Sequence, residues 1–238
     1  MPRLPRISLA GVTQHIVQRG NNRQVCFFCE ADYSVFLDKL REYSSQFAVH
    51  VHAYVLMTNH VHLLVTPQEV WGVSRMMQAV GRYYVMYVNR TYHRTGTLWD
   101  GRFKMSLVDG ERYVMQVHRY IELNPVRAGM IEHPAGYPWS SYQANALGKA
   151  IKLLSPHPMY LNLGMSPSDR QLAYQELYNE VLPEVSLSEI RRATEQTWIL
   201  ADQRFKAQIE QQLQRKVFPS THGGDRKSAG CKSKKQVF

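Results

Sequence analysis

The sequence predicts an α+β fold: a ferredoxin-like β-α-β-β-α-β antiparallel sheet, a further helix on its free face, and a small helical C-terminal extension. Three observations predict it. Residues 48–56 and 60–66 are Val- and Leu-rich runs separated by a short turn and closed by Pro67, the pattern of an antiparallel hairpin. Segments 32–46 and 72–90, on either side of that hairpin, repeat apolar residues at helical spacing. Alternating segments at 12–19 and 102–108 supply one strand before the first helix and one after the second.

Taken in order, Val12 to Arg19 alternates as a strand, and Gly20-Asn21-Asn22-Arg23 turns the chain. Asp32 is the expected cap of the first helix, which runs to Gln46 and places Val35, Phe36, Leu40 and Tyr43 on one face. The second helix, Gly72 to Arg90, carries Met76, Val80, Tyr83, Tyr84 and Tyr87, a stripe read as core rather than as a base-stacking surface. Asp109 then caps a helix from Gly110 to Asn124. Pro125 ends it, because the residue before a proline is pushed out of helical backbone. Val114, Val117 and Ile121 form its apolar stripe; Gln116, Tyr120 and Asn124, four residues apart, form a polar stripe beside it. His118 and Glu122 project at other helical angles.

The strand after the turn alternates, so Val61, Leu63 and Val65 face one way and His60 and His62 the other. Two imidazoles so placed can close on one metal ion. They fit equally well as polar residues on a half-solvated strand. His50 and His52 repeat the spacing on the neighbouring strand, and spacing alone does not choose between the pairs.

Charge narrows the partners. The 238-residue chain has a formal net charge of +10, unevenly spread. Its first 29 residues hold Arg3, Arg6, Arg19 and Arg23 and no acid. Residues 216–238 hold six lysines and arginines, among them Lys216, Arg226 and Lys227, against the single acid Asp225. Basic ends on a globular body point to a polyanion. No apolar run approaches the ~20 residues needed to cross a bilayer, and the N-terminal residues lack a secretory pattern. A cytoplasmic protein with no membrane partner is expected. Three cysteines make no disulfide framework, and Cys26-Phe27-Phe28-Cys29 lacks the second pair a structural zinc site needs.

Two stretches carry a family resemblance. Residues Tyr54 to Pro67 resemble the metal-binding signature of the single-tyrosine HUH transposases, in which two histidines flank a bulky apolar residue, here His60-Val61-His62. The wording fits the branch known as REP-associated tyrosine transposases, which are insertion-sequence-200-like. Residues Tyr120 to Gly129 resemble the second signature, where the nucleophilic tyrosine lies four residues before an Asn-Pro. Arg19-Gly20-Asn21-Asn22-Arg23 and Trp139-Ser140-Ser141-Tyr142 resemble flanking blocks of the same family, so the likeness spans residues 10–145.

The resemblance implies that Tyr120 is the nucleophile, that its helix is catalytic, and that His60, His62 and Asn124 hold Mg²⁺ or Mn²⁺. It implies a transposase that cleaves and rejoins single-stranded DNA hairpins, the repetitive extragenic palindromes, through a 5′-phosphotyrosine. Arg3, Arg6, Arg19, Arg23, Lys216, Arg226 and Lys227 would meet the DNA. Residues 1–145 are then the HUH domain, 146–217 a helical extension and 218–238 a basic disordered tail. In the extension, Ser186 to Glu189 looks like a helix start, with Ile190, Ala193, Trp198 and Leu200 on the buried side. Monomer and homodimer both fit. The rival readings are a relaxase-type initiator, which usually brings a third metal histidine; a DNA-binding regulator on the same fold without catalysis; and a small-molecule metal hydrolase, for which Glu122 stands on the wrong side of its helix.

Overall fold

The computed structural model of this chain describes residues 7–110 and 112–214. Its centre is a sheet of β1 (Gln14–Arg19), β2 (Val49–Met57), β3 (His60–Pro67), β4 (Lys104–Val108) and β5 (Ile199–Leu200), in the order β2-β3-β1-β4-β5. The first four strands pair antiparallel, as the sequence predicts. The fifth, parallel to β4, is an addition. Two residues leave no period to read, and only pairing with the edge of β4 defines them as a strand.

Helices α1 (Glu30–Gln46) and α2 (Gly72–Thr91) cover one face of the sheet. Ile16, Val61, Leu63 and Val65 meet Phe36, Leu40, Met76, Val80 and Tyr84 there. The stripe on α2 is core at Met76, Val80 and Tyr84, whereas Tyr83 is 38% exposed. Asp32 caps α1 from inside rather than from the N-cap position, which is Cys29. Its buried carboxylate accepts from the backbone N–H of Phe28 (2.7 Å) and Cys29 (3.1 Å) and from the hydroxyls of Tyr87 and Tyr92.

A bulge in β2 decides which residues reach the other face. Val51 pairs with Val65 but Ala53 pairs with Leu64, so His52 is one residue too many. An extra residue reverses the alternation. Val49 and Val51 therefore face the two long helices, while Ala53, Val55 and Met57 face the opposite layer.

That layer is built on α3 (Val114–Glu122), whose Val114, Val117 and Ile121 pack against Val55, Met57 and Leu64. The helix starts four residues later than the sequence suggests, and Pro125 does not end it. The chain breaks at Leu123 and resumes as α4 (Asn124–Arg127), with Pro125 in the first turn, where its missing N–H costs nothing. The stop comes at Gly129, whose φ of +67° suits glycine. Gly129 N–H donates to Val126 and Met130 N–H to Pro125, a Schellman closure. Asn124 thus opens a new turn instead of extending the i, i+4 stripe.

Beyond it, α5 (Tyr142–Asn145) and α6 (Pro158–Leu161) are single turns, followed by α7 (Pro167–Glu176), α8 (Glu184–Gln196) and α9 (Gln203–Leu213). Helix α8 begins at Glu184, after Pro183, and buries Leu187, Ile190 and Ala193 in the same layer as α3. Glu122 ties this region to α3. Its fully buried carboxylate accepts from Ser141 (2.5 Å), Asn145 (2.9 Å), Tyr174 (2.8 Å) and Tyr178 (2.5 Å). Among the described residues no helix is long and apolar enough to cross a membrane. The predicted tail at 218–238 lies outside them, as do Arg3, Arg6, Lys216, Arg226 and Lys227.

Candidate active site

A cleft of about 510 Å³ opens on the face of the sheet that carries α3. The register of β1 against β3 builds its floor. Arg19 lies opposite His60 and Val17 opposite His62, and directly opposed residues share a face. His15 follows two residues along β1, diagonal to His62. Tyr120 arrives from α3, Asn124 and Arg127 from α4, Lys104 from β4, and Arg191 and Thr194 from α8. The four residues singled out as nucleophile and ligands, Tyr120, His60, His62 and Asn124, are brought together here.

The geometry around each imidazole is specific. His60 Nδ1 lies 2.6 Å from Asn59 Oδ1. The Asn59 amide is oriented by its other end, where Nδ2 donates to the Arg23 carbonyl at 3.1 Å. Its oxygen therefore faces His60, so Nδ1 carries the proton and Nε2 keeps its lone pair. The side chain of Asn124 is in hydrogen-bonding reach of the same ring. The Gly20 loop holds Asn59 in place, with Gly20 N–H on the Asn59 carbonyl at 2.8 Å. A Cβ at Gly20 would fall 2.4 Å from the Gln24 carbonyl oxygen, so only glycine fits. The turn that resembles a family block thus fixes the loop under His60, and its Arg23 also lines the cleft.

His62 is buried, with Nδ1 2.9 Å from His15 Nε2 and the two rings stacked. Burial keeps these imidazoles neutral: it pushes His15 down to about 3 and His60 down to about 4, the latter helped by the Arg19 charge. His62 is lowered well below its usual value, by burial first and then by neighbouring His15 and His60. Neutral imidazoles have lone pairs to give. The Tyr120 ring meets His15 and His62 edge-on at 5.8 and 5.7 Å, and Arg127 lays its guanidinium over it at 4.4 Å.

The other polar residues of α3 go elsewhere. Gln116 does not line the cleft. His118 is buried against the Tyr174 hydroxyl at 3.2 Å, and Glu122 is enclosed in its own cluster, so neither offers a base to Tyr120. Six cationic side chains line the cleft (Arg19, Arg23, Arg102, Lys104, Arg127 and Arg191) against two carboxylates, Asp100 and Glu195. Four of the six, together with His15 and Thr194, were not singled out in the sequence. Arg127 was visible inside the second signature, and Arg102 and Lys104 sat in the predicted fourth strand. Arg191 and Thr194 carried no signal, because nothing local says that α8 folds back over β1.

The site chemistry suits a divalent cation. No group of three His, Cys, Asp or Glu side chains with metal-binding placement occurs among the described residues. Two neutral imidazoles and an amide oxygen nevertheless make a mixed N/O donor set with positions left open.

A His-x-His pair, half-buried at His60 and buried at His62, lies beside a tyrosine in a cationic cleft on a ferredoxin-like sheet, a surface suited to a polyanion. Residues 8–124 match the family described as transposase IS200 like. The match takes in β1 to β4 and α1 to α3 and ends at Asn124, just short of half the chain. A solved structure described as a REP-associated tyrosine transposase bound to a REP hairpin shares the fold at a TM-score of 0.53 and 16% identity, covering 66% of this chain and 93% of its own. A candidate transposase from Deinococcus radiodurans aligns at 24% identity over 51% of this chain and 96% of its own, with a TM-score of 0.36. Among curated proteins none matches.

Proposed function

We propose that the chain cleaves and rejoins single-stranded, hairpin-bearing DNA of the REP type, with Tyr120 as nucleophile. One observation carries this reading: the Tyr120 ring stands 5.7 Å from the His62 ring in the cationic cleft that also holds His60 and Asn124. The REP hairpin bound by the structural neighbour supports the substrate class.

Mg²⁺ or Mn²⁺ held by His60, His62 and Asn124 would supply Lewis-acid polarisation of the scissile phosphate. The phenolic oxygen of Tyr120 attacks phosphorus and loses its proton to water in the cleft. The bond from phosphorus to the 3′ oxygen breaks, and that oxygen takes up a proton to leave as a 3′-hydroxyl. The 5′ end stays on Tyr120 as a phosphotyrosine, so attack by another 3′-hydroxyl rejoins the strands without a nucleotide cofactor. Arg127 fixes the ring from above and donates to the Tyr120 carbonyl at 2.6 Å. Arg19 and Arg23 neutralise flanking phosphates.

The test is Tyr120→Phe, which removes one oxygen and keeps the ring. Hairpin binding by gel shift should survive, and the covalent protein–DNA adduct on a denaturing gel should vanish. Tyr113→Phe, which stands outside the cleft, should still form the adduct. Cleavage by Tyr120→Phe at the wild-type rate would overturn the mechanism. A wild-type protein that binds hairpins with Mn²⁺ present yet never forms the adduct would make the chain a binding-only regulator.

A further inference from the structure

The buried partner chain behind His62 has a determinable proton order. Thr194 Oγ1 lies 2.9 Å from His15 Nδ1 and 2.9 Å from the Ile190 carbonyl, one turn back on α8. His15 Nε2 then lies 2.9 Å from His62 Nδ1. His15 is 0% exposed, His62 5% and Thr194 5%, so water does not rearrange the chain. A hydroxyl has one proton. A carbonyl can only accept, so the Thr194 proton goes to Ile190 and its oxygen accepts from His15 Nδ1–H. A neutral His15 then has a bare Nε2, which must accept from His62 Nδ1–H. Neutral His62 is left with its lone pair on Nε2.

We propose that Thr194, acting through His15, is the positioning residue that sets the tautomer of His62 and so makes Nε2 available to a divalent ion. This rests on the reading of His62 as a metal ligand. It adds that the ligand is prepared by a hydroxyl on α8, 70 residues beyond the end of the family match at residue 124. The opposite proton order is equally satisfied between the rings alone: His15 Nε2–H donating to His62 Nδ1 would place a proton on His62 Nε2 and block it. Only the Thr194 hydroxyl, committed to a helix carbonyl, distinguishes the two states. Imidazole ligands are commonly oriented in this way by a partner on their second nitrogen.

The experiment uses the full chain with Thr194→Val, which keeps shape and removes the hydroxyl, and Thr194→Ser, which restores it. Without the hydroxyl, His15 Nδ1–H has no acceptor, and a buried orphan N–H is disfavoured. The proton order should shift toward the blocked state. Long-range ¹H–¹⁵N spectra of metal-free protein should show His62 protonated on Nδ1 in wild type and Thr194→Ser, and on Nε2 in Thr194→Val. Titration calorimetry with Mn²⁺ should show affinity falling about 10- to 100-fold in Thr194→Val and returning in Thr194→Ser. An unchanged His62 tautomer in Thr194→Val would overturn the relay. A shifted tautomer with unchanged Mn²⁺ affinity would instead overturn His62 as a ligand, and the positioning role with it.

Discussion

One hairpin carries two His-x-His pairs on the same face of the sheet, in different surroundings. His60 and His62 sit at the turn end of β3, under α3 and Tyr120, with the cationic cleft above them. His50 and His52 sit at the far end, opposite Thr66, which is six residues or roughly 20 Å along β3. There the bulge turns His52 inward onto neutral partners. Its Nδ1 lies 2.7 Å from the Ser155 carbonyl and its Nε2 2.9 Å from the Thr66 hydroxyl. Thr66 continues to Thr13 and Thr13 to His157, each at 3.0 Å. Both nitrogens of His52 are spent on the protein, while His50 is exposed and lies 3.4 Å from Ser155 Oγ. In the other pair, Nδ1 of each imidazole is anchored, on Asn59 and on His15, and both rings line the cleft. The two pairs differ in what surrounds them: neutral protein partners at His52, and the cationic cleft with Tyr120 at His60 and His62.

The sharpest way to break this comparison is to exchange activity for stability. His62→Ala or His60→Ala should lower Mn²⁺-dependent cleavage of hairpin DNA by more than about a hundredfold, since losing a ligand costs more than losing the group behind it. His52→Ala, assayed well below its melting temperature, should cleave like wild type. Equal losses at both pairs would show that the hairpin is merely being unfolded.

Urea denaturation should give the reverse order. His52→Ala leaves the Ser155 carbonyl and the Thr66 hydroxyl without their partner and should cost about 1–3 kcal/mol. His60→Ala should cost about 1 kcal/mol or less. A larger stability loss at His60 than at His52 would contradict the roles given to them.

Acid should act at both ends of the hairpin, since burial lowers His60 to about 4 and His15 to about 3 as well. Burial lowers both His52 and His157 to about 4, from an ordinary value of 6.5; His50, His118 and the other member of the pair surround them. The fold favours their neutral forms, so their contribution is complete above pH 6.5 and is lost as pH falls toward 4. The melting temperature should drop across that window, and His52→Gln should flatten the drop. A melting temperature that rises between pH 6.5 and 4 would reverse the sign argued here.

The smallest expected effect lies outside the comparison, in the basic end. Deleting residues 216–238 removes six cations and one acid. Hairpin affinity should weaken, and its log–log salt slope should become shallower by up to about 0.7 per lost phosphate contact. An unchanged slope would leave DNA binding to the cleft alone.

The sequence by itself determined the four core strands, the two covering helices and the order of the two signatures. These are written in local periods: alternation at Val61, Leu63 and Val65, helical spacing at Met76, Val80 and Tyr84. It also named Tyr120, His60, His62 and Asn124, which the fold brings into one cleft. Spacing alone could not separate His60 and His62 from His50 and His52, since equal spacing carries no information about what lies above each strand; the resemblance over Tyr54 to Pro67 chose between them. Tertiary structure gave the two pairs different surroundings, through one extra residue at His52 and the helix that covers the other end. It also brought His15 from β1 and Thr194 from α8 behind His62, 179 residues apart in the chain and 2.9 Å apart in space. A hydrogen bond across that separation leaves no trace in any local pattern, because register and packing, not neighbouring residues, place its two ends.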